Sequence, residues 1–332
     1  MHKEKLKPDD LWQCMISPAR LEQIDRESLR VRTQSRLCTN RLRFLLAMLL
    51  VSSAVIVSAP GAGKSAGSAA AQRRKGVVVF SVSAQSGEGT MDAVVIVDGK
   101  LLRAPFTDED KAGQKRFAAE YFAAGRTYRL ISGGGEAGSV TVKKWSEGCN
   151  TIHAEVTPST PARLGGEVKA LATSSASLGK RASSRRAPTD AERAGVMTLM
   201  KSIYAQHKTP ASLIAAIKVT NLTATDLDGD GKYEFIGSFT SAAKNKFERD
   251  LFLIAKPQGA GMRADFARFQ AYQPPPEEFL HGIDFVDQLD LDGNGVGEVF
   301  AVQGAFDGYA YLIFKRVGGR WREVYNMIGD LC

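Results

Sequence analysis

Short runs of apolar and β-branched residues, separated by turn residues, dominate the pattern of the chain after residue 74. Gly76–Val82 and Ala93–Val97 are rich in valine and isoleucine, and Asp98-Gly99 follows the second run. Such runs favour strands, and Asp-Gly between two of them is a strong hairpin signal. The pattern predicts a mainly β protein that begins with a small β-sandwich-like domain over residues 75–157.

The composition changes after this first domain. Residues 158–188 are rich in Ser, Ala, Gly and Pro, and they hold six Lys and Arg against one Glu. Because such a composition buries little apolar surface, we expect this segment to be a flexible basic linker.

Beyond the linker, the pattern predicts one helix and then strands to the end of the chain. Thr189 followed by Glu192 is a capping box, which marks a helix N-terminus. Apolar residues then recur at helical spacing, as expected of a face that packs on a core: Val196, Leu199, Met200, Ile203 and Tyr204. Strand-like runs resume at Ile214–Leu222. We therefore expect residues 189–332 to form a second β domain with one N-terminal helix.

An apolar run near the N-terminus predicts export. Phe44–Ala59 is a mostly apolar run of 16 residues, preceded by Arg41 and Arg43 and followed by small residues. This order is typical of a secretory signal, whereas a full membrane span needs about 20 residues. An uncleaved signal anchor is the alternative, because 43 residues precede the run. We expect residues 1–71 to be a leader of one kind or the other. The protein is then secreted, or lies in the periplasm or cell envelope, or is held in the membrane by a single-pass anchor.

The distribution of charge argues against a nucleic-acid partner. The chain has a net charge of +8, but residues 1–71 hold 11 Lys and Arg against 6 Asp and Glu and so supply most of it. The remainder is close to neutral and lacks the basic excess that nucleic-acid binding requires.

Cysteine usage agrees with an oxidising compartment. Cys14 and Cys38 lie in the leader, which leaves Cys149 and Cys332 in the rest of the chain. Two such thiols can pair after export, and a bridge would fasten the C-terminus to the first domain.

Two acidic loops carry the clearest chemical signal in the sequence. Asp226–Glu234 reads DLDGDGKYE and Asp290–Glu298 reads DLDGNGVGE, so oxygen-bearing side chains fall at positions 1, 3, 5 and 9, with Gly at position 6. Several hard oxygens that converge on one point suit Ca²⁺, and no thiol or imidazole is present to favour zinc. The predicted ligands are Asp226, Asp228, Asp230, the Lys232 carbonyl and Glu234 in the first loop, and Asp290, Asp292, Asn294, the Val296 carbonyl and Glu298 in the second.

The loops resemble the FG-GAP/VCBS-type repeats of integrin α-subunit propellers and bacterial surface proteins. An EF-hand would require a carboxylate at position 12, where this chain has Gly237 and Ala301, and both loops lead directly into strand-like runs. In that family the calcium loop lies in a β-hairpin with ligands at positions 1, 3, 5, 7 and 9. The loops begin 64 residues apart, close to one propeller blade, although two repeats cannot close a propeller of four or more blades.

The leading functional hypothesis is an exported, non-catalytic protein stiffened by structural calcium. It would act in adhesion or scaffolding, with a cell-surface polymer or protein as its partner. The alternative is a secreted hydrolase that assembles dispersed carboxylates, with Asp284, Asp287 and Glu277 as candidates. A signal-anchored sensor or inhibitor domain is a third hypothesis.

Two nucleotide-binding patterns are better explained otherwise. Residues 55–65 resemble a strand and Walker A loop, but Ser58 replaces the first glycine and no amphipathic helix follows. Gly133, Gly135 and Gly138 match a dinucleotide fingerprint, yet a strand-like run follows them, which predicts a glycine-rich hairpin.

Overall fold

The structure is a computed structural model that describes residues 76–103, 110–242, 248–272, 282–304 and 308–331. All of them belong to one compact unit, Gln72–Cys332. The predicted leader over residues 1–71 lies outside the described residues. Among the described residues, no helix combines the length and apolar character needed to span a membrane.

The prediction of a mainly β protein is confirmed: the described residues form fifteen strands and three helices. The strands are β1 Val77–Gln85, β2 Glu88–Val97, β3 Leu101–Leu102, β4 Thr127–Ser132, β5 Gly135–Glu147, β6 Ile152–Ser159, β7 Glu167–Thr173, β8 Lys218–Thr225, β9 Glu234–Ala242, β10 Glu248–Gln258, β11 Gly261–Tyr272, β12 Ile283–Leu289, β13 Glu298–Gly304, β14 Gly308–Val317 and β15 Arg320–Leu331. The helices are α1 Lys111–Tyr121, α2 Asp190–Gln206 and α3 Ala211–Ala215.

The N-terminal sheet closes on itself as a six-stranded barrel. Its strands follow the order β1-β7-β4-β5-β6-β2, and β2 pairs back with β1. Ser86 and Gly87 form the β1–β2 turn with φ of 55° and 93°, the left-handed pair that a two-residue hairpin favours. The hairpin predicted at Asp98-Gly99 is present between β2 and β3. The sheet that the sequence predicts to be sandwich-like is thus a closed barrel, and closure removes the exposed edges that an open sheet would leave.

The expectation of a flexible linker over residues 158–188 is corrected by the structure. Strand β7 lies in this segment and pairs with β1 on one side and β4 on the other, so the barrel cannot close without it. Val168, Ala170, Leu171 and Ala172 are fully buried. A short apolar run inside a segment rich in Ser and Gly therefore forms a central strand, a feature that average composition conceals.

The C-terminal half contains two antiparallel four-stranded meanders. Strands β8 to β11 form the first meander and strands β12 to β15 form the second, each in consecutive order. Helix α2 packs on the outer face of the first meander, and the inner faces of the two meanders share one apolar cluster. The other face of the second meander packs on the barrel through residues such as Phe300 and Ile313. The layers are thus α2, first meander, second meander and barrel.

The predicted capping box at the start of α2 is confirmed and is reinforced by an ion pair. The Thr189 N–H donates to Glu192 Oε2 over 2.8 Å, and the Glu192 N–H donates to the Thr189 hydroxyl. Arg186 Nη1 and Nη2 each donate to one oxygen of the same carboxylate over 2.8 Å. The Arg186 guanidinium lowers the pKa of Glu192 from 4.5 to about 2.

The low pKa of Glu192 predicts a pH-dependent contribution to stability. Because folding lowers this pKa, the contribution is fully present above about pH 4.5 and is lost as the pH falls towards 2. We expect Glu192→Gln to destabilise the protein most at pH 7 and progressively less towards pH 3. Urea unfolding of both proteins at several pH values measures this difference. A difference that stays constant with pH would contradict the assignment.

Candidate metal centre

The two predicted loops occupy the same place in the two meanders. The first acidic loop, Asp226–Glu234, connects β8 to β9, and the second acidic loop, Asp290–Glu298, connects β12 to β13. Each loop therefore joins the first strand of its meander to the second. The prediction that each runs directly into a strand is confirmed, since Glu234 and Glu298 are the first residues of β9 and β13.

Backbone N–H groups fix the carboxylates of the first acidic loop. Asp226 Oδ1 accepts from the Gly229 N–H over 2.7 Å, and Asp226 Oδ2 accepts from the Gly231 N–H over 3.0 Å. Gly231 has a φ of 81°, the left-handed conformation that allows the loop to close here. The Leu227 N–H donates to Glu234 Oε2 over 2.9 Å and ties the two ends of the loop together.

The second acidic loop repeats these hydrogen bonds position by position. Asp290 Oδ1 and Oδ2 accept from the N–H groups of Gly293 and Gly295 over 2.8 and 2.9 Å. Gly295 has a φ of 92°. The Leu291 N–H donates to Glu298 Oε2 over 2.7 Å. Since different sequences at positions 5, 7 and 8 give the same arrangement, the shared Asp, Gly and Glu positions determine it.

Three carboxylates converge in each loop. Oxygen atoms of the group in the first loop, and likewise of the group in the second, all lie within 4.8 Å of one another. The groups are Asp226, Asp228 and Asp230, and Asp290, Asp292 and Glu298. Of the other predicted ligands, Asn294 Oδ1 accepts from the Val296 N–H, and Lys232 directs its ammonium to Asp230 at 3.7 Å.

Burial and mutual repulsion make the first loop a strong acceptor of positive charge. Burial, together with the neighbouring charges of Asp228, Asp226 and Asp230, raises the pKa of Glu234 to about 7. Burial also raises the pKa of Glu298 in the second loop. Such repulsion is relieved when a cation is bound among the carboxylates.

Basic side chains from β14 reach both loops, and these contacts are not predicted from the sequence. Lys315 Nζ lies 2.6 Å from Asp292 Oδ2 and 2.9 Å from Glu298 Oε1 in the second loop. Arg316 Nη1 lies 3.4 Å from Asp228 Oδ2 in the first loop. No local spacing signals these contacts, because they depend on how β14 pairs and on how the meanders stack.

The two loops are direct neighbours in space. The Gly297 N–H of the second loop donates to the Leu227 carbonyl of the first over 2.7 Å. Arg181 donates to the Gly295 carbonyl, and its guanidinium lies beside Gly229. Arg181 comes from the segment expected to be a linker, so that segment contributes to the site as well as to the barrel.

The donor set fits a hard divalent cation. Each predicted ligand is an oxygen atom, and carboxylates dominate both groups. Asp228 Oδ1 is buried and has no hydrogen-bond partner among the described residues, so an acceptor in the first loop remains unused. Asp226, Asp228 and Asp230 would hold the cation in the first loop, and Asp290, Asp292 and Glu298 in the second; the predicted ligand Glu234 is not part of the converging group.

Asp284 and Asp287, two of the candidate carboxylates of the hydrolase hypothesis, make contacts outside the two acidic loops. Asp287 is completely buried, and Asp284 accepts from the Thr220 hydroxyl over 3.3 Å. Asp287 accepts from two backbone N–H groups and pairs with Arg185 at 3.1 Å, which describes a structural ion pair. Glu277 lies outside the described residues.

Two smaller predictions also meet the structure here. Residues 133–138 form the turn and first residues of the β4–β5 hairpin, as predicted. Cys149 is disulfide-bonded, and its predicted partner Cys332 lies outside the described residues.

A scan of protein-family models and searches among characterised proteins and solved structures find no match to this chain.

Proposed function

We propose that this chain is an exported, non-catalytic calcium-binding protein whose two meanders are stiffened by Ca²⁺ at the acidic loops. The observation that carries the proposal is the repetition. The same carboxylates, held by the same backbone N–H groups, occur at the equivalent connection of two equivalent meanders. A solvated acidic turn has no reason to be repeated in such detail.

The meanders also support the FG-GAP/VCBS-type interpretation of the loops. Propeller blades are four-stranded antiparallel sheets, and here each meander has four strands with its acidic loop between the first two. Two blades cannot close a ring, but helix α2 covers the outer face of the first meander and the barrel covers that of the second. We therefore propose a pair of blade-like repeats with an end cap on each side, as in other repeat proteins.

Calcium in these loops would act on structure. Leu227, at position 2 of the first loop, is buried in the cluster between the two meanders. Without a cation the carboxylates repel one another, so the loop would open and Leu227 would lose support. Calcium would thus stabilise the interface between the meanders, and the outer surface would be available to a cell-surface polymer or protein.

Thermal denaturation with and without calcium tests the proposal. Sites in extracellular modules have dissociation constants of about 10⁻⁴ to 10⁻³ M. A site held at 100 times its dissociation constant stabilises the fold by about 2.7 kcal/mol, or roughly 5–10 °C for a chain of this size. We expect about 10 mM Ca²⁺ to raise the melting temperature by at least the roughly 5–10 °C of one occupied site. We expect Mg²⁺ to raise it less.

Position-1 variants assign the effect to the loops. Asp226→Asn removes one ligand charge and keeps an oxygen that can accept a backbone hydrogen bond, and Asp290→Asn does the same in the second loop. We expect the rise in melting temperature that calcium causes to be smaller in each variant and to be absent in the double variant. Asp98→Asn, in a turn of the barrel, is the matched control. A wild-type melting curve that calcium and chelator leave unchanged would rule the proposal out.

A further inference from the structure

The two meanders are equivalent well beyond their acidic loops. In the first, β9 pairs with β10 so that Phe235 faces Ala255; in the second, β13 pairs with β14 so that Val299 faces Phe314. One position further out, Lys256 therefore lies opposite Glu234, and Lys315 lies opposite Glu298. The sequences around these lysines, LIAK and LIFK, agree with this alignment.

The equivalent lysines nevertheless have different partners. Lys315 Nζ lies on two carboxylates of the second acidic loop, at 2.6 and 2.9 Å. Lys256 Nζ instead lies 3.0 Å from Asp265 Oδ2 on β11. The two side chains have similar exposure, 26% for Lys256 and 28% for Lys315, so depth of burial does not explain the difference.

A β-bulge in each meander places a different residue beside the lysine. In the first, Ala255 faces Ala264 and Ile254 faces Phe266, which leaves Asp265 as the extra residue. In the second, Phe314 faces Glu323 and Ile313 faces Tyr325, which leaves Val324. Bulges redirect side chains. Asp265 provides a carboxylate that pairs with Lys256 away from the first acidic loop. Val324, at the equivalent position, provides no carboxylate for Lys315.

The two loops also differ in how many carboxylates they hold and in how a basic side chain neutralises them. The first has four carboxylates, Asp226, Asp228, Asp230 and Glu234. Its two basic neighbours each lie near a single carboxylate, Arg316 at 3.4 Å and the exposed Lys232 at 3.7 Å. The second has three, because Asn294 replaces the carboxylate at position 5, and the Lys315 ammonium already lies on two of them. A cation that enters the second loop must displace this ammonium.

We propose that the residue at the β-bulge sets the calcium affinity of each loop, so that the first binds Ca²⁺ more tightly and the second is partly neutralised by Lys315. The proposal rests on the calcium-binding function proposed above. It makes Asp265 and Val324 specificity-determining residues that do not touch the metal. The first loop then depends on calcium, while the second keeps its shape through the internal ammonium when calcium is scarce.

Exchange of the bulge residues tests the proposal, with calcium binding to the full chain followed by titration calorimetry. Asp226→Asn isolates the second loop, and Asp290→Asn isolates the first. With the second loop isolated, we expect Val324→Asp to draw Lys315 away and tighten calcium binding about tenfold. With the first loop isolated, Asp265→Val should release Lys256 towards Glu234 and weaken binding by a similar factor. Val324 is 40% exposed, so its replacement leaves the core intact.

Lysine variants provide a second, independent measurement. With the second loop isolated, Lys315→Met should also tighten binding and should make the melting temperature more dependent on calcium. Lys315→Arg, which keeps the charge, should leave the affinity low. Lys256→Met removes the equivalent ammonium of the first meander and should leave the second loop unchanged.

The outcomes separate this inference from the function on which it rests. Calcium binding with equal affinities in the two loops, unaffected by Val324→Asp and Lys315→Met, would overturn the role of the bulge and leave the calcium function standing. Absence of calcium binding in the wild type and in all variants would overturn both.

Discussion

Replacing Asp287 by alanine should lower the free energy of unfolding by about 3–5 kcal/mol, because it leaves a buried guanidinium without its counter-charge. The side chain of Arg185 is 5% exposed and that of Asp287 is 0% exposed. Alanine can provide neither the negative charge nor the oxygen atoms. Arg185 would then keep only its hydrogen bonds to the carbonyls of Lys169 and Val286.

The loss should be large because Asp287 connects three parts of the fold. Its Oδ1 accepts from the N–H of Gly133, at the β4–β5 turn of the barrel, over 2.8 Å. Its Oδ2 pairs with Arg185, which precedes α2, and Asp287 itself lies on β12 of the second meander. Removal of the carboxylate therefore takes an acceptor from the buried N–H groups of Gly133 and Gln288 and leaves the buried guanidinium without a counter-charge, and each loss costs free energy.

Urea unfolding of the wild type and the variant measures the effect. Asp284→Ala is the matched control on the same strand, because Asp284 is only half-buried and accepts one hydrogen bond, from Thr220. We expect Asp284→Ala to lower the free energy of unfolding by less than about 1 kcal/mol. A loss at Asp287 no greater than at Asp284 would show that the Arg185 pair does not hold the barrel to the second meander.

The acidic loops could be predicted from the sequence because their chemistry is local. Alternate oxygen-bearing residues and a glycine at position 6 determine the loop, and the hydrogen bonds from backbone N–H groups to its carboxylates span seven residues or fewer. Helix α2, which is capped by Thr189, was predictable for the same reason, since its capping box lies within four consecutive residues. Local patterns of this kind keep their meaning whatever surrounds them.

The features that the sequence does not predict depend on contacts between distant residues. Strand β7 is short and its neighbours β1 and β4 are remote in sequence, so composition alone suggested a linker there. Arg185 and Asp287 are 102 residues apart, and neither carries a local signal of pairing. The different partners of Lys256 and Lys315 follow from one residue in a bulge, which becomes visible only once the strands are in register.

Replacing Phe314 by alanine should cost about 3–5 kcal/mol of stability, because it opens a cavity between the two meanders. Phe314 is completely buried. Its ring stacks on Phe252 of the first meander with centroids 5.3 Å apart and contacts Phe266 at 5.1 Å. Val317→Ala, on the same strand but 42% exposed, is the matched control and should cost less than about 0.5 kcal/mol.

A double-mutant cycle with Phe252→Ala shows whether this loss belongs to the interface between the meanders. If the two rings stabilise each other across the interface, the double variant should lose less free energy of unfolding than the two single variants together. We expect the difference to be about 0.5–1.5 kcal/mol. The cycle, repeated at about 10 mM calcium, also reports on the acidic loops. Leu227 packs in the same cluster, so calcium that stiffens the first loop should strengthen the coupling. Additive losses in both conditions would mean that the blade-like repeats do not stabilise each other through this face.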